Sequence, residues 1–434
     1  MALKTSLYTS WGNRGTFPHY ASKPDNTDKA EFDFKLDSYI AYGNGRSYGD
    51  VCLNAGKGLL DSRLLDRLIG LDENEQYLTC QAGVKLKDLL PVLEKRKKFV
   101  SVSPGTSQVT IGGMVANDIH GKNHHKVGSF GNQIRSLKLL RSNGEILNCS
   151  EQENSELFKA TIGGLGLTGF ILEVTFKLKD VSTNCIAIKS TATKNIEQML
   201  ELFDETDEDY EYTVAWLDMH SRPQKGIFSC GNHAVSDVKC GSSGRSKTIP
   251  LNAPNWLLNG ISNKLFNQLY YYKSSLLAGD TASYQEFFYP LDKVEYWNRL
   301  YGKRGFYQYQ FVVPYEQFIY VYNQLLKVIA DFKQPTYLAV LKKFGRIKSP
   351  GYLSFPREGY TLAMDFPNKG DTTLEMFTAF DALVMAAGGA IYPAKDGRMS
   401  GDTFKGSFPD YDQFIKYKDE KFCSDFWRRV MNNV

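Results

Sequence analysis

Apolar and polar side chains alternate along much of this chain, the mark of strands with one buried face. The run GFILEVTFKL at 169–178 alternates in this way, and YLTCQAGV at 77–84 reads as a second strand. Over 84–98 the period changes. Leu86, Leu89, Leu90 and Leu93 recur at helical spacing, which predicts an amphipathic helix. Strands over 134–140 and 145–148 flank Ser142-Asn143-Gly144, and Asn-Gly is a strong hairpin signal. A short helix is expected at 156–160. Near the end, Met376, Phe380, Leu383 and Ala387 share one face of a helix over 373–387 that Gly388 stops. A strand over 390–394 then delivers Lys395 and Asp396.

Two stretches depart from both periods. In YGNGRSYGD (42–50), Gly43, Gly45 and Gly49 surround Arg46 and Ser47. In PGTSQVTIGGMVANDIHGKNHHKVGSFG (104–131), Gly105, Gly112 and Gly113 let backbone approach a bulky ligand without a Cβ in the way. Thr106, Ser107, Thr110, Asn117 and nearby amides supply donors for an anion such as a pyrophosphate. Together they predict one large phosphorylated cofactor held by the N-terminal region. GLGLTG at 164–169 fits G-x-G-x-x-G, but an alternating strand follows it where a dinucleotide fold needs a helix. It is read instead as a tight turn close to a ligand. His120, His124 and His125 in HGKNHH suggest zinc at first sight. Gly121 and Asn123 make a helix poor there, and no cysteine or carboxylate cluster joins them, so no metal is expected. They are read as contacts in a cofactor loop or as satisfied buried polar groups.

Gln308 and Gln310 alternate with Tyr307, Tyr309 and Phe311, so the two amides share one strand face. That face is either a solvated sheet surface or the polar floor of a pocket. Lys395 is equally open, as a surface lysine or a functional one. Residues 239–250 are the best candidate for a mobile loop. The segment NWLLNGISNKLFNQLYYY at 255–272 suits core or lipid contact.

Composition narrows the class. At 434 residues the chain suits two domains. A net charge of +4, scattered, lacks the basic footprint of a nucleic-acid binder. No apolar run approaches the length of a membrane span, and the N-terminus lacks a signal-peptide core. Seven cysteines without a CxxC suggest a reduced intracellular protein with buried thiols. The expected location is the cytoplasm or the periphery of the inner membrane.

The pair GNGRSYGD and PGTSQVTIGGMVANDIHGKNHHKVGSFGN resembles the vanillyl-alcohol-oxidase superfamily of flavoproteins. The DIHGKNHH-x-x-GSFGN run is similar to the decaprenylphosphoryl-β-D-ribose 2′-oxidase family. GGLGLTG at 163–169, VAWLD at 214–218, YPLD at 289–292 and WNRLYG at 297–302 match that family in order. So do YQFVVP at 309–314, KKFG at 342–345, MDFP at 364–367 and YPAKD at 392–396, so the resemblance spans almost the whole chain.

The resemblance implies an α+β fold: a two-subdomain, PCMH-type FAD-binding domain at 1–183, completed by 390–434, and a central antiparallel-sheet substrate domain at 184–389. It implies FAD held without a covalent bond, with His120 the position where related flavoproteins link the ring. Contacts to FAD would come from Ala41, Tyr42, Gly43, Asn44, Gly45 and Arg46, then Ser47, Tyr48, Gly49, Asp50 and Val51. Further contacts would come from Gly105, Thr110, Ile111, Gly112 and Gly113, from Asn117, Asp118, Ile119 and His120, and from Ile171 and Tyr392. The implied reaction oxidises the 2′-hydroxyl of a polyprenyl-phospho-ribose to a ketone. A partner NAD(P)-dependent reductase would then complete an epimerisation toward an arabinose donor for cell-envelope glycan. Lys395 matches the family's active-site lysine, and Tyr48, Gln308, Gln310 and Lys342 would line the substrate pocket. Thr361 and Ala363 stand where mycobacterial members carry Asn and Cys, and Phe288 where they carry Tyr. The exact sugar and lipid therefore stay open. Two other readings stand beside this one: an FAD oxidase of a free sugar, alditol or aldonolactone, and a non-catalytic flavin-binding scaffold. For the lipid substrate, peripheral membrane contact through 255–272 is expected.

Overall fold

The computed structural model describes residues 4–432 apart from 29–31, 33, 222, 236–239, 241–245, 255–263, 265–266, 269–270, 273–280 and 335. Three sheets organise the described chain. The first joins β1 (Lys4–Tyr8), β2 (Phe17–Ser22), β3 (Tyr39–Tyr42) and β4 (Gly58–Asp61) in the order β1-β2-β4-β3. The second contains β5 (Leu68–Leu71), β6 (Tyr77–Gln81), β7 (Lys98–Val100), β8 (Ile134–Leu140), β9 (Ile146–Ser150) and β10 (Phe170–Asp180). The long β10 is its centre, pairing with β6, β7 and β8.

The third sheet has eight strands, every pairing in it antiparallel. It uses β11 (Cys185–Thr193), β12 (Tyr212–Leu217) and β13 (Gly226–His233), then β15 (Thr281–Ser283), β17 (Phe306–Val313), β18 (Ala339–Phe344), β19 (Gly359–Pro367) and β20 (Ala390–Ile391). Their order is β15-β11-β13-β12-β18-β19-β17-β20. Two short strands, β14 (Lys247–Thr248) and β16 (Val294–Glu295), pair in parallel beside it. One face of the large sheet carries Phe228, Tyr309, Phe311, Leu341, Leu362 and Met364. These pack against the helices Ile196–Thr206, Tyr315–Asp331 and Asp371–Ala386 in one buried cluster. Each fully buried aromatic there contributes about 2 kcal/mol by area. With that face filled, the opposite face is left for a ligand.

The hairpin at Ser142-Asn143-Gly144 forms, and Gly388, at φ +67°, ends the helix Asp371–Ala386. Other boundaries differ from the sequence reading. The helix expected over 84–98 is Leu86–Glu94, its last turns giving way to the chain that enters β7. The strand expected over 390–394 stops at Ile391 because Pro393 has no N–H to continue a ladder. The backbone turns instead, with Lys395 N–H donating to the Tyr392 carbonyl (3.1 Å).

Reduced, buried thiols were expected, and at one pair the structure differs. Cys185 and Cys240 are joined as a disulfide with Cα atoms 5.8 Å apart, a span that suits the bond. The register explains the meeting: β15 pairs with the start of β11, and Cys240 sits at the carbonyl of Ala282. Cys52, Cys80, Cys149, Cys230 and Cys423 are free. The expected loop at 239–250 and the aromatic segment at 255–272 fall largely outside the described residues. Within them, Asn267 donates to Asp218 (2.9 Å). Among the described residues, no helix is long and apolar enough to cross a membrane.

Candidate active site

A cavity of about 860 Å³ opens between the unfilled face of the large sheet and the glycine-rich turns. The turns are stitched together before any ligand is considered. Asn44 donates from Nδ2 to the Gln108 carbonyl (2.7 Å), tying one glycine-rich segment to the other. Thr110 caps the helix Ile111–Ala116, accepting from Gly113 N–H at 3.3 Å. Asp292, from the segment that follows β15, accepts from Thr106 Oγ1, Ser107 N–H and Ser107 Oγ, each at 2.7 Å. A Cβ at Gly43 would overlap the Thr110 hydroxyl, so the first turn approaches the second only as glycine.

Most residues anticipated for the cofactor line this cavity: Ala41, Gly43, Asn44, Gly45, Arg46, Ser47, Tyr48 and Val51 from the first turn. Gly105, Thr110, Gly112, Gly113, Asn117, Ile119 and His120 line it from the second, with Ile171 and Tyr392. Five do not reach it. Tyr42 points back to donate to the Thr9 carbonyl, and Ile111 is fully buried in the core. Asp118 accepts from Gly131 N–H (2.7 Å) and from the Ser349 hydroxyl. Gly49 lies against the Asp396 carbonyl, and Asp50 is an ion-pair partner of Arg429 (2.8 Å). All five lie one residue beside a lining position, and each holds a turn from behind. Leu165, Gly166 and Gly169, from GLGLTG, also line the cavity and lead into β10.

The remaining histidines serve the loop itself. His124 accepts from Gly345 N–H (3.2 Å) through Nδ1, and His125 contacts the Tyr210 carbonyl (3.0 Å) through Nε2. His120 meets the Gln310 amide at 2.9 Å and is packed between Phe344, Phe355 and Tyr392. Burial, with Lys342, His124 and Lys395 nearby, holds its imidazole well below the usual range, so the ring is neutral.

Lys395, Tyr48, Gln308, Gln310, Lys342, Phe288, Thr361 and Ala363 all line the same cavity. Gln308 and Gln310 are buried, which decides for the pocket floor over a solvated surface. Lys395 is a cavity lysine, its Nζ 3.9 Å from the centroid of the Tyr48 ring. Gln308 donates to Asp365 Oδ1 (2.6 Å), and Tyr301 reaches Asp365 Oδ2 (3.4 Å). Gln310 also reaches the Thr361 hydroxyl (3.2 Å), and Phe288 stacks on Phe99 (5.4 Å). Burial drives Lys395 down to about 7, against the attraction of Asp365 and with the repulsion of Lys342. Burial also lifts Asp365 to about 7, against its hydrogen bond from Gln308 and the field of Lys395.

Asp365 and Lys122 escaped the sequence reading. The β19 alternation that carries Thr361 and Ala363 continues to Asp365, which was the available signal. Lys122 was overlooked among the histidines. It lines the cavity with its ammonium donating to the Phe287 carbonyl and 4.0 Å from that ring's centroid.

Behind the lysine, Asp396 accepts from Met399 N–H (3.0 and 2.9 Å) and Arg398 N–H (2.9 Å). Arg429, from the helix Asp425–Asn432, joins Asp396 (3.1 Å) to Asp50 (2.8 Å). Tyr48 N–H donates to the Ala394 carbonyl (2.8 Å), and Tyr392 Oη to the Asn117 carbonyl (2.8 Å). The lysine turn and both glycine-rich segments are one mechanical unit.

The cavity fits a long phosphorylated flavin cofactor. Arg46 Nε, Asn117 Oδ1 and His120 Nδ1 are buried polar atoms without a partner among the described residues, and all three residues line it. A Cβ on Gly105, another lining residue, would meet no protein atom within 4 Å.

Comparison with known proteins agrees. A family described as FAD binding domain matches residues 35–150. Decaprenylphosphoryl-beta-D-ribose oxidase of Mycolicibacterium smegmatis is 36% identical over 417 residues, covering 90% of this chain and 88% of that protein. An uncharacterized protein of Streptomyces coelicolor is 28% identical over 76% of this chain and 95% of its own length. L-gulonolactone oxidase of Bos taurus is 35% identical, but over only 31% of this chain and 30% of that protein.

Proposed function

This chain belongs to the decaprenylphosphoryl-beta-D-ribose oxidase family, and from that membership we propose that it oxidises the 2′-hydroxyl of a polyprenyl-phospho-β-D-ribose to the 2′-keto sugar. The single observation that carries the reading is Lys395, set with Tyr48 and Gln308 in the cavity that the glycine-rich turns also line, with Asp365 held behind Gln308. The gulonolactone oxidases match only 31% of the chain, and an arabinonolactone oxidase that matches half of it is only 23% identical, so the free-sugar and scaffold alternatives are not favoured. Residues 1–183 with 390–434 are proposed as the cofactor-holding part, and 184–389 as the substrate part. The first two sheets, built from residues before 181, support this division, although Ala390–Ile391 pairs with β17 of the large sheet. A lipid-linked substrate would bring the protein to a membrane surface. A ketone product requires a reductase to complete an epimerisation.

When bound, FAD supplies the hydride acceptor. Arg46, Asn44, Thr110 and the amides around Gly112 and Gly113 would hold it. The other tasks fall to the chain's own side chains. Gln308 and Gln310 orient the sugar hydroxyls, and the aromatic surround excludes water. Lys395 Nζ, neutral above about 7, takes the hydroxyl proton and becomes a cation beside Asp365.

A pH dependence follows. The base is the unprotonated amine, whose fraction grows as pH rises. The kcat/KM is expected to climb about tenfold per pH unit below the Lys395 pKa and to level off above it. Asp365 loses its proton in the same window, so the pair titrates as a unit. A flat profile across that window would remove Lys395 as the base.

The direct test is the anaerobic visible spectrum before and after adding a polyprenyl-phosphoribose. Bleaching of the flavin band is expected with that substrate and not with gulonolactone. The reverse pattern would move the protein to the sugar-lactone oxidases.

A further inference from the structure

The cavity runs across one face of the large sheet, and its chemistry changes strand by strand. At the β20 and β17 side it is polar, with Lys395, Gln308 and Gln310, followed by Thr361 on β19. On β18, paired with Thr361, stands Lys342. Beyond it the same face offers Val214 and Trp216 on β12, Ile227 on β13 and Ile188 on β11. The cross-strand pairs Trp216↔Val340 and Trp216↔Ile227 put these side chains on the lysine's own face.

Lys342 has neither a hydrogen bond nor an ion pair among the described residues. Lys122 approaches the same region from the cofactor loop, with one of its three N–H donors used on the Phe287 carbonyl. The cavity carboxylates are committed elsewhere. Glu286 pairs with Lys293 (2.6 Å), Glu295 accepts from Thr248 (2.8 Å), and Asp292 holds Thr106 and Ser107. Two cations held out of bulk water without a counter-ion are costly unless an anion completes them. Their lowered pKa values, about 7 for Lys122 and about 8 for Lys342, express that cost.

We propose that Lys122 and Lys342 form the subsite for the phosphodiester of the lipid-linked sugar, and that the prenyl chain leaves over the apolar strip Val214, Trp216, Ile227 and Ile188. The proposal rests on the functional reading above. The geometry sets the order of groups along the substrate. Sugar lies over β17, phosphate faces β18 two strands away (about 10 Å at the usual strand spacing), and lipid crosses β12, β13 and β11. The lysine stems are long enough to reach back toward the sugar. This anion is a second one, since the donors for the cofactor's pyrophosphate are in the glycine-rich turns.

The test uses the FAD-loaded protein, with farnesylphosphoryl-β-D-ribose for turnover and farnesyl phosphate for binding by calorimetry. In Lys342→Met and Lys122→Met, KM is expected to rise about 10- to 100-fold, the scale of a charge-assisted contact, and by more than kcat falls. Farnesyl phosphate should lose affinity by a similar factor, and Lys342→Arg should recover most of it. Flavin content of each variant reports folding, and Lys342, which has no hydrogen-bond or ion-pair partner among the described residues, is the safer substitution. Unchanged KM and unchanged farnesyl phosphate affinity in both methionine variants would overturn the subsite. Inorganic phosphate binding as tightly as farnesyl phosphate would overturn the apolar exit. If the wild type fails to bleach but still binds farnesyl phosphate in a Lys342-dependent way, the oxidase reading fails and the anion-and-prenyl site stands.

Discussion

Replacing Lys395 by Met is expected to lower turnover by roughly three orders of magnitude, in the middle of the range for loss of a positioned general base. Flavin should stay bound, because the glycine-rich turns are held together by Asn44, Thr110 and Asp292, none of which needs the lysine. Methionine matches the length of the apolar stem, so the wall beside Tyr48 keeps its packing. The measurement is single-turnover flavin bleaching at matched flavin content. Arginine is expected not to rescue, because a guanidinium stays protonated and cannot accept the hydroxyl proton. A methionine variant at the wild-type rate would exclude Lys395 from proton transfer.

Gly49→Ala is expected to be nearly as damaging, for a different reason. The added Cβ would overlap the Asp396 carbonyl oxygen, and backbone on both sides must move. Overpacking of this kind costs about 1–3 kcal/mol. The displaced atoms belong to the turn that carries Lys395 and to the turn that carries Tyr48. A shift near 1 Å there is expected to cost about 100-fold in rate. Both a lower Tm and a lower kcat should appear, and they should be separable. Bound substrate analogue should restore part of the Tm, whereas the rate defect should persist at saturation. A variant with wild-type values of both would mean that the two turns are not rigidly coupled.

Local chemistry made part of this site legible. Glycine clusters rich in hydroxyl and amide donors are uncommon outside ligand-binding turns, and 17 of the 22 contacts they suggested, with Ile171 and Tyr392 included, line the cavity. Period-two alternation put Gln308 and Gln310 together, but only the third sheet's other face, filled by three helices, shows which side holds the ligand. Asp365 was hidden for a related reason. In MDFP it reads as one polar residue among apolar ones, and its meaning comes from Gln308 opposite it on β17. Lys122 acquires a role only through Phe287 and Lys342, which lie 165 residues away and on a separate strand, respectively. The apolar run AIYPA also suggested too long a strand at 390–394, where Pro393 ends the ladder early. Cys185 and Cys240 come together through strand order, which cysteine spacing alone does not encode.

The Arg429 bridge between Asp50 and Asp396 bears on how the protein is made. Asp50 and Arg429 are 379 residues apart in sequence, so a ribosome extrudes the first cofactor turn long before the arginine that secures it. The lysine turn emerges later still than the glycine-rich segments, and its clamp comes last. A growing chain therefore carries an open half-site through most of translation, and contacts of such long sequence separation form late in folding.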